Sequence, residues 1–435
     1  MIRNGLVATL LAALTAWGPN SLLAAPLTLD AVLAHADANH PELDLARAQL
    51  AFGDAEAQLA HSLNDFRVSL EAALRSGRNS VFNDHFQPDH LIRLNARKTL
   101  LDSGRQQTSM AATDQESLAR ALQLLDVRAQ RRITLMARFF DVVLADLRES
   151  AETEALAVAY VSWDNSRDRL AVGQLAQWQL SELEAHYLDI LTRRNDVRRD
   201  LREKRMALGA AMNLPSMVLD DLVAPQLPDN ERTLPEFDAL FEVVKAENLQ
   251  LQAHMKLLAS AKQRINGVRV ENRPSLEFEA EAAAWSREAS TRDDLRAGFN
   301  FTWPIWQGSR TDARMAREQA RFHELQARHD KLVMDLRQSL LAVREEIQLL
   351  RTSARRGEEI NAVYRDQFLE KARAEYEMEL KTNLGSAMAE TQFANLRQRA
   401  IEYRLALAWA RLEALVGGPE HWTRHFAKTT QEANK

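Results

Sequence analysis

Three glutamates at alternate positions, Glu277, Glu279 and Glu281, are the most chemically suggestive group in the chain. In an extended strand, residues two apart share a face, so all three carboxylates project together. Arg93 and Arg97, four positions apart, share a face in the same way with the opposite charge, and Arg296 stands alone in a third such segment. A face of this kind can set which ions pass along it, or it can simply hold water; the sequence leaves both readings open. His421 and His425 stand at i, i+4, a spacing that can seat a metal on a helix. They fall in a short tail, 419–435, whose composition reads as disordered with incidental histidines. Other titratable groups form no catalytic set. His85 and His90 lie in a polar loop, while Glu345-Glu346 and Glu358-Glu359 sit in charged helical stretches, where a solvated face is the default. No glycine-rich phosphate loop precedes a helix, so no cofactor and no enzymatic activity are expected.

Composition narrows the class. The chain has 435 residues, no Cys and a formal net charge of −5, from 56 basic and 61 acidic side chains. Absence of Cys removes disulfides, thiolate chemistry and lipid attachment through Cys. The charge balance offers no basic field for nucleic acid. Mean hydropathy is −0.37. Arg3 followed by the apolar run Gly5 to Trp17 and by Ala24-Ala25 reads as a signal peptide, residues 1–25. No later apolar run reaches the ~20 residues of a transmembrane helix.

The chain repeats itself. Glu42-Leu43-Asp44-Leu45 returns as Asn248-Leu249-Gln250-Leu251, and Arg67-Val68-Ser69-Leu70-Glu71 as Arg273-Pro274-Ser275-Leu276-Glu277, both 206 positions later. Leu100-Leu101 through Gly104-Arg105 to Met110-Ala111 matches Ile305-Trp306 through Ser309-Arg310 to Met315-Ala316 at 205. Two tandem repeats follow, 27–220 and 234–418, joined by the connector 221–233, with Pro225 and Pro228.

Each repeat is mostly helix. From Arg105 to Val172 there is neither Gly nor Pro, and apolar residues keep helical spacing. A helix of that length spans ~100 Å at 1.5 Å per residue. Helix resumes from Gly173 to about Gly209. Repeat two matches it with Thr311 to about Tyr376 and Ser386 to Val416. Opening helices are expected over Leu29–Asn64 and Pro235–Val270.

Period-two segments interrupt these helices. Leu70, Ala72 and Leu74 oppose Glu71 and Arg75; Ile92, Leu94 and Ala96 oppose Arg93, Asn95 and Arg97. A polar loop, 78–89, separates them. In the second repeat Leu276, Phe278, Ala280 and Ala282 oppose the three glutamates, and Leu295, Ala297, Phe299, Phe301 and Trp303 oppose Arg296, Asn300 and Thr302. Alternation over about ten residues marks a strand with lipid on one face and a wet lumen on the other. Trp303 and Trp306 fall where an interfacial aromatic belt would lie. Four strands cannot close a barrel, and lipid-exposed edges cannot stay unpaired. Three chains would supply twelve strands, so a cyclic homo-oligomer forming a duct is the expected assembly. A pore-free periplasmic coiled coil explains the helices and leaves the alternating segments unexplained. A periplasmic hydrolase lacks a catalytic set.

Over 27–418 the chain resembles the TolC-like outer membrane efflux family. The likeness is carried by Leu29-Asp30-Ala31-Val32 with Asn39-His40-Pro41-Glu42-Leu43, by Arg273-Pro274-Ser275-Leu276, and by the turns Leu100-Leu101-Asp102-Ser103-Gly104-Arg105 and Ile305-Trp306-Gln307-Gly308-Ser309-Arg310. The helix-to-helix turn resembles Val172-Gly173-Gln174-Leu175-Ala176. The resemblance implies a mainly α chain with a small β part. Three copies would form a twelve-stranded β-barrel in the outer membrane of a Gram-negative bacterium, continuous with a periplasmic α-barrel. It implies the exit duct of a tripartite efflux pump, or the outer membrane component of type I secretion, with a periplasmic adaptor and an inner-membrane transporter as partners. Gly173, Gln174, Leu175 and Gln179, with Glu379, Leu380 and Gly385, would then form the adaptor-docking tip. The family often rings its tunnel mouth with acids; the matching positions here hold Gln179, Gly385 and Met388, and Glu390 is the nearest acid.

Overall fold

A computed structural model describes residues 27–79, 83–216, 221–286, 293–378 and 384–432. The proposed signal peptide lies outside them. The chain divides into two compact units. One comprises the described residues of 1–35, 135–226 and 371–396; the other comprises those of 36–134, 227–370 and 397–435. Each unit draws on both halves of the sequence.

The second unit holds the sheet. Strands β1 (Arg67–Ala73), β4 (Leu91–Leu101), β5 (Ser275–Trp285) and β6 (Leu295–Thr302) pair antiparallel in the order β1-β4-β5-β6. The stretch 78–89, expected to be a polar loop, is corrected. Strands β2 (Ser76–Asn79) and β3 (Asn83–Pro88) make a separate antiparallel ribbon. Among its described side chains Phe86 is the one large apolar residue, so no hydrophobic alternation announced it. Three further expectations shift at strand ends. Leu74 and Arg75 lie past the end of β1, and Trp303 past the end of β6. Beyond the Ala73–Leu91 pair the ladder stops because Arg75 redirects its main chain. Its N–H donates to His90 Nδ1 (3.2 Å), and its C=O accepts from Asp89 N–H (2.8 Å).

Helices α2 (Pro41–Ser62), α5 (Phe237–Glu247), α6 (Leu249–Arg269), α7 (Arg310–Leu349) and most of α8 (Arg355–Glu377) also belong here. The opening helices were expected to be continuous, and both are broken. Helix α1 (Leu29–Ala34) stops before Pro41, which sits in the first turn of α2, where its missing N–H costs nothing. His40 caps that turn, its Nδ1 accepting from Glu42 N–H at 3.2 Å. In the second repeat Asn248 breaks the helix. Its Oδ1 accepts from the N–H groups of Gln250 and Leu251 (3.1 Å each), and its Nδ2 donates to Leu415 C=O at 3.0 Å. Between α7 and α8, residues Leu350–Ala354 form a π-helical segment, a local widening of one continuous rod.

Core packing in this unit centres on Leu240, Val244, Leu336, Leu340, Ile347, Leu405, Trp409 and Leu412. The tail is corrected from disordered to helical. Helix α10 (Pro419–Glu432) places Trp422 and Phe426 in this core, with Trp422 edge-on to Trp409 at 5.7 Å. The Arg232 guanidinium lies over both indoles, 4.9 Å from Trp409 and 5.7 Å from Trp422, and pairs with Glu413. His421 and His425 both turn to Glu247, at 3.1 and 3.6 Å. Among the described residues no group of three His, Asp or Glu side chains has the geometry of a metal site. The paired acids of the charged helices also find partners: Glu346 binds Arg404 (3.1 Å), and Glu358 binds Arg397 (3.1 Å).

The first unit is built on the rest of α3 (Arg105–Ala171), on α4 (Gln177–Ala211), on the end of α8 and on the start of α9 (Leu384–Leu415). Helices α3 and α4 form an antiparallel hairpin tied by Asp146–Arg205 (3.1 Å) and Glu149–Arg194 (3.5 Å). Trp163 stacks on Tyr187, rings 5.2 Å apart and nearly parallel.

Removal of the tail anchor tests the helical assignment. Trp422→Ala should cost roughly 3–5 kcal/mol, the usual range for emptying a buried aromatic site. The readout is a lower melting temperature of the helical circular dichroism signal. An unchanged melting temperature would return the tail to a disordered appendage.

Candidate functional site

The sheet has two unlike faces, and register decides which residues share each. Glu71 pairs with Arg93, Asn95 with Glu281, Arg97 with Glu279, and Glu281 with Arg296. All these side chains therefore lie on one face. There they form a ladder of alternating charge across all four strands. Arg93 donates to Glu71 (2.8 Å) and to Glu281 (3.4 Å), and Arg296 donates to the same Glu281 oxygen (2.9 Å). Glu281 is buried beneath the two guanidiniums.

A second row runs parallel. Arg97 reaches Glu279 Oε1 through Nε (3.1 Å) and Nη2 (2.8 Å), and Asn95 Nδ2 reaches the same oxygen (3.2 Å). Asn300 Nδ2 donates to Oε2 at 2.7 Å. Glu277 has no ion pair among the described residues, and Asn300 is its register partner. Arg67, the register partner of Arg97, lies on this face too, so four acids share it with four arginines.

The opposite face carries Leu70, Ile92, Leu94, Leu276, Phe278, Phe299 and Phe301. Leu70 is 70% exposed and Phe299 is 66% exposed. The Phe278 and Phe299 rings meet at 5.7 Å. The patch continues past the strand ends to Leu74, Trp303, Ile305 and Trp306, all exposed. An apolar surface this continuous marks a contact with lipid or another apolar partner. Lys98 is the one charge on this face. It sits by register opposite Phe278, and its ammonium lies over the Phe66 ring at 5.2 Å. Sequence reasoning passed over both residues. The signal was Lys98 itself, a charge at an apolar position near a strand end, where a long side chain can reach the interface.

Strand-to-helix junctions hold the sheet to its helices. After β4 the chain turns through Ser103 (φ +57°) and Gly104 (φ +89°); after β6 it turns through Gly308 (φ +60°), the repeat counterpart of Ser103. Asp102 caps α3, accepting from the N–H groups of Gly104 (3.0 Å) and Gln106 (2.5 Å). Ser103 Oγ donates to Pro274 C=O at 2.7 Å, clamping this turn to the start of β5. Deeper on α3, Glu116 binds Arg264 (2.8 Å) and Ser260 (2.8 Å) of α6. Burial opposes ionisation of Glu116, but the hydrogen bonds from Arg264 and Ser260 and the charges of Arg264 and Arg321 outweigh it. They hold the carboxyl below its ordinary value.

The hairpin turn of the first unit is set by Gly173 at φ +73°. Gly173 N–H donates to Leu170 C=O (2.9 Å), and Gln174 N–H donates to Arg169 C=O (2.8 Å), a Schellman closure that only a left-handed residue allows. Gln179, expected at the tunnel mouth, caps α4: its Oε1 accepts from Ala176 N–H at 3.0 Å. Leu175 is half-buried in the turn. Gly385 packs α9 against α3 so closely that an added Cβ would stand 2.7 Å from Val158 Cγ2. Glu379 and Leu380 lie outside the described residues.

No protein-family model and no curated protein matches the sequence. Solved structures do match. The outer membrane protein VceC of Vibrio cholerae aligns at 16% identity and a TM-score of 0.70, over 90% of this chain and 96% of its own. The Campylobacter jejuni CmeC outer membrane channel aligns at 14% and 0.73, over 94% and 89%. The open state of the Neisseria gonorrhoeae MtrE outer membrane channel aligns at 15% and 0.72, over 90% and 89%. The chain has the TolC-like outer membrane channel fold. Among the described residues no helix is long and apolar enough to cross a membrane. In a TolC-like fold that statement bears on helices alone and leaves the two-faced sheet as the membrane element to consider.

Three comparisons test this geometry. Glu281→Gln should lower the thermal stability of the folded protein more than Glu277→Gln, because it leaves Arg93 and Arg296 facing each other without a charge between them. Equal melting temperatures would contradict the ladder. Gly385→Ala should destabilise by ~1–3 kcal/mol through overpacking, and Val158→Ala should restore the loss. For Glu116 the sign follows from its lowered value. Its stabilisation is full above the unfolded value near 4.5 and is lost as pH falls through the folded value. Glu116→Gln should therefore be less stable at neutral pH and lose less stability on acidification, as read by melting temperature against pH.

Proposed function

We propose that the chain is the outer membrane exit duct of a tripartite efflux pump, conducting passively what an inner-membrane transporter and a periplasmic adaptor deliver. The observation that carries this reading is the sheet. One face is exposed hydrocarbon and the other a paired polar ladder, while β1 and β6 stand at its edges. Unpaired edge N–H and C=O groups cost several kcal/mol each in hydrocarbon, so the sheet must continue into other copies. Three copies give twelve strands, within the range of closed outer membrane barrels. Glu71, Arg93, Asn95, Arg97, Glu277, Glu279, Glu281, Arg296 and Asn300 then line the lumen; Leu70, Ile92, Leu94, Leu276, Phe278, Phe299 and Phe301 face lipid. Lys98 over Phe66 fits the bilayer interface, as do Trp303 and Trp306. The turn at Gly173 to Gln179 becomes the adaptor-docking tip. It presents a neutral Gln179, so the first repeat contributes no acid there.

Fractionation tests the reading directly. The full-length protein should sediment with outer membranes, show heat-modifiable mobility as a trimer in mild detergent, and raise the conductance of a planar bilayer. Release as a soluble monomer by osmotic shock would overturn it. Face assignment has its own test: Leu94→Arg should block assembly, whereas Asn95→Arg should assemble. Lipid-facing Arg costs ~2–4 kcal/mol at the midplane, and a lumen-facing one does not. Equal effects would refute the assignment of faces.

A further inference from the structure

Just beyond the sheet, helices α3, α6 and α7 enclose an open cleft of about 370 Å³. Its wall is charged. Arg264 is committed to Glu116, Arg314 to Glu271, and Arg317 to Glu318 through Nε (3.0 Å) and Nη2 (2.7 Å). Two groups are left over. Arg105, the first residue of α3, donates from Nε to Asp102 C=O (3.3 Å) and has no carboxylate partner among the described residues. Glu318 gives only Oε1 to Arg317. Its Oε2 is buried without a hydrogen-bond partner, in a side chain 8% exposed. A buried carboxylate oxygen without a donor costs free energy that a ligand's donor can recover. The cleft thus offers one spare cation and one spare anion acceptor, and a ligand that satisfies both carries an anion and an ammonium together.

Position narrows the ligand. Arg105 follows β4 by four residues and Glu271 precedes β5 by four, so the cleft lies at the level where the sheet gives way to helix. On the reading that the sheet spans the outer membrane, this is the headgroup layer of the periplasmic leaflet. We propose that the cleft binds the phosphoethanolamine headgroup of a membrane phospholipid, with Arg105 holding the phosphate and Glu318 the ammonium. Phosphate esters suit a guanidinium fork. An ammonium brings three donors, one of which completes Glu318. The site would fix the depth at which the sheet sits in the bilayer.

The test uses the detergent-purified, delipidated full-length protein and native mass spectrometry with added phosphatidylethanolamine or phosphatidylglycerol, which share the phosphate and differ in the ammonium. Wild type should retain phosphatidylethanolamine in preference to phosphatidylglycerol. Arg105→Gln should weaken both lipids about tenfold or more, the scale of one charge-assisted hydrogen bond. Glu318→Gln should erase the preference while leaving phosphatidylglycerol binding unchanged. Arg105→Lys should keep part of the binding, which separates loss of charge from loss of fold. Absence of any preference in wild type, or an unaltered preference in Glu318→Gln, overturns the proposal. Binding of tail-less glycerophosphoethanolamine as tight as that of the intact lipid overturns the membrane source. Outer membrane fractionation of the same wild-type protein is read in parallel. A soluble wild type refutes the duct reading, whereas a membrane-resident wild type without the preference refutes the headgroup site alone.

Discussion

Glu281, held between Arg93 and Arg296, is the interaction on which the sheet depends. Its carboxylate is almost wholly buried, yet the strands that carry it expose hydrocarbon on their other side. Charges so placed are tolerable when each finds a counter-charge on the neighbouring strand, because an unpaired ion away from water is expensive. The antiparallel register supplies that pairing. It sets Glu71 opposite Arg93, Arg97 opposite Glu279, and Glu281 opposite Arg296. A slip of one residue would turn every one of these groups toward the apolar face. The ladder therefore fixes register from the polar side as firmly as the leucines and phenylalanines fix it from the other.

The helices serve this sheet. Asp102 and Ser103 tie the end of β4 to the start of α3 and to the residue before β5, and Glu116 joins α3 to α6 one step deeper. Each tie is a hydrogen bond in a partly buried setting, and those of Asp102 and Glu116 are charge-assisted. The other unit needs sharp turning and close contact instead. Gly173 turns the chain back with a left-handed residue, and Gly385 lets α9 approach α3 where a Cβ would collide. Glycine does a different job at each place, and the family-like pattern around the first turn reflects the first job.

Several features were legible before any coordinates. Period-two alternation placed all four strands of the main sheet and both of its faces, because a strand has two sides and each must match its surroundings. The run from Arg105 to Val172 announced a single long helix, since nothing in it breaks the backbone ladder. The failures share a cause. Asn248 ends α5 and caps the start of α6, and His40 caps the start of α2 ahead of Pro41; a cap is a property of one residue rather than of a period. Residues 76–79 and 83–88 pair as strands through backbone groups, with no alternation of apolar side chains to announce them. The tail carried a signal that was passed over: Gly417-Gly418-Pro419, then Trp422 and Phe426 at i, i+4, a helix start followed by one apolar stripe.

Amino-acid order alone determined the two-faced strands, the long helices and the residue types on each face. Those follow from local geometry, in which a period of two or of 3.6 sorts side chains without reference to the rest of the chain. Tertiary structure alone decided which charges meet. Glu277, Glu279 and Glu281 look equivalent in sequence, yet one is buried between two arginines, one is bound by Arg97, Asn95 and Asn300, and one has no ion pair among the described residues. That difference arises from strand order and register, which bring positions nearly two hundred residues apart within hydrogen-bonding distance. No local pattern encodes it.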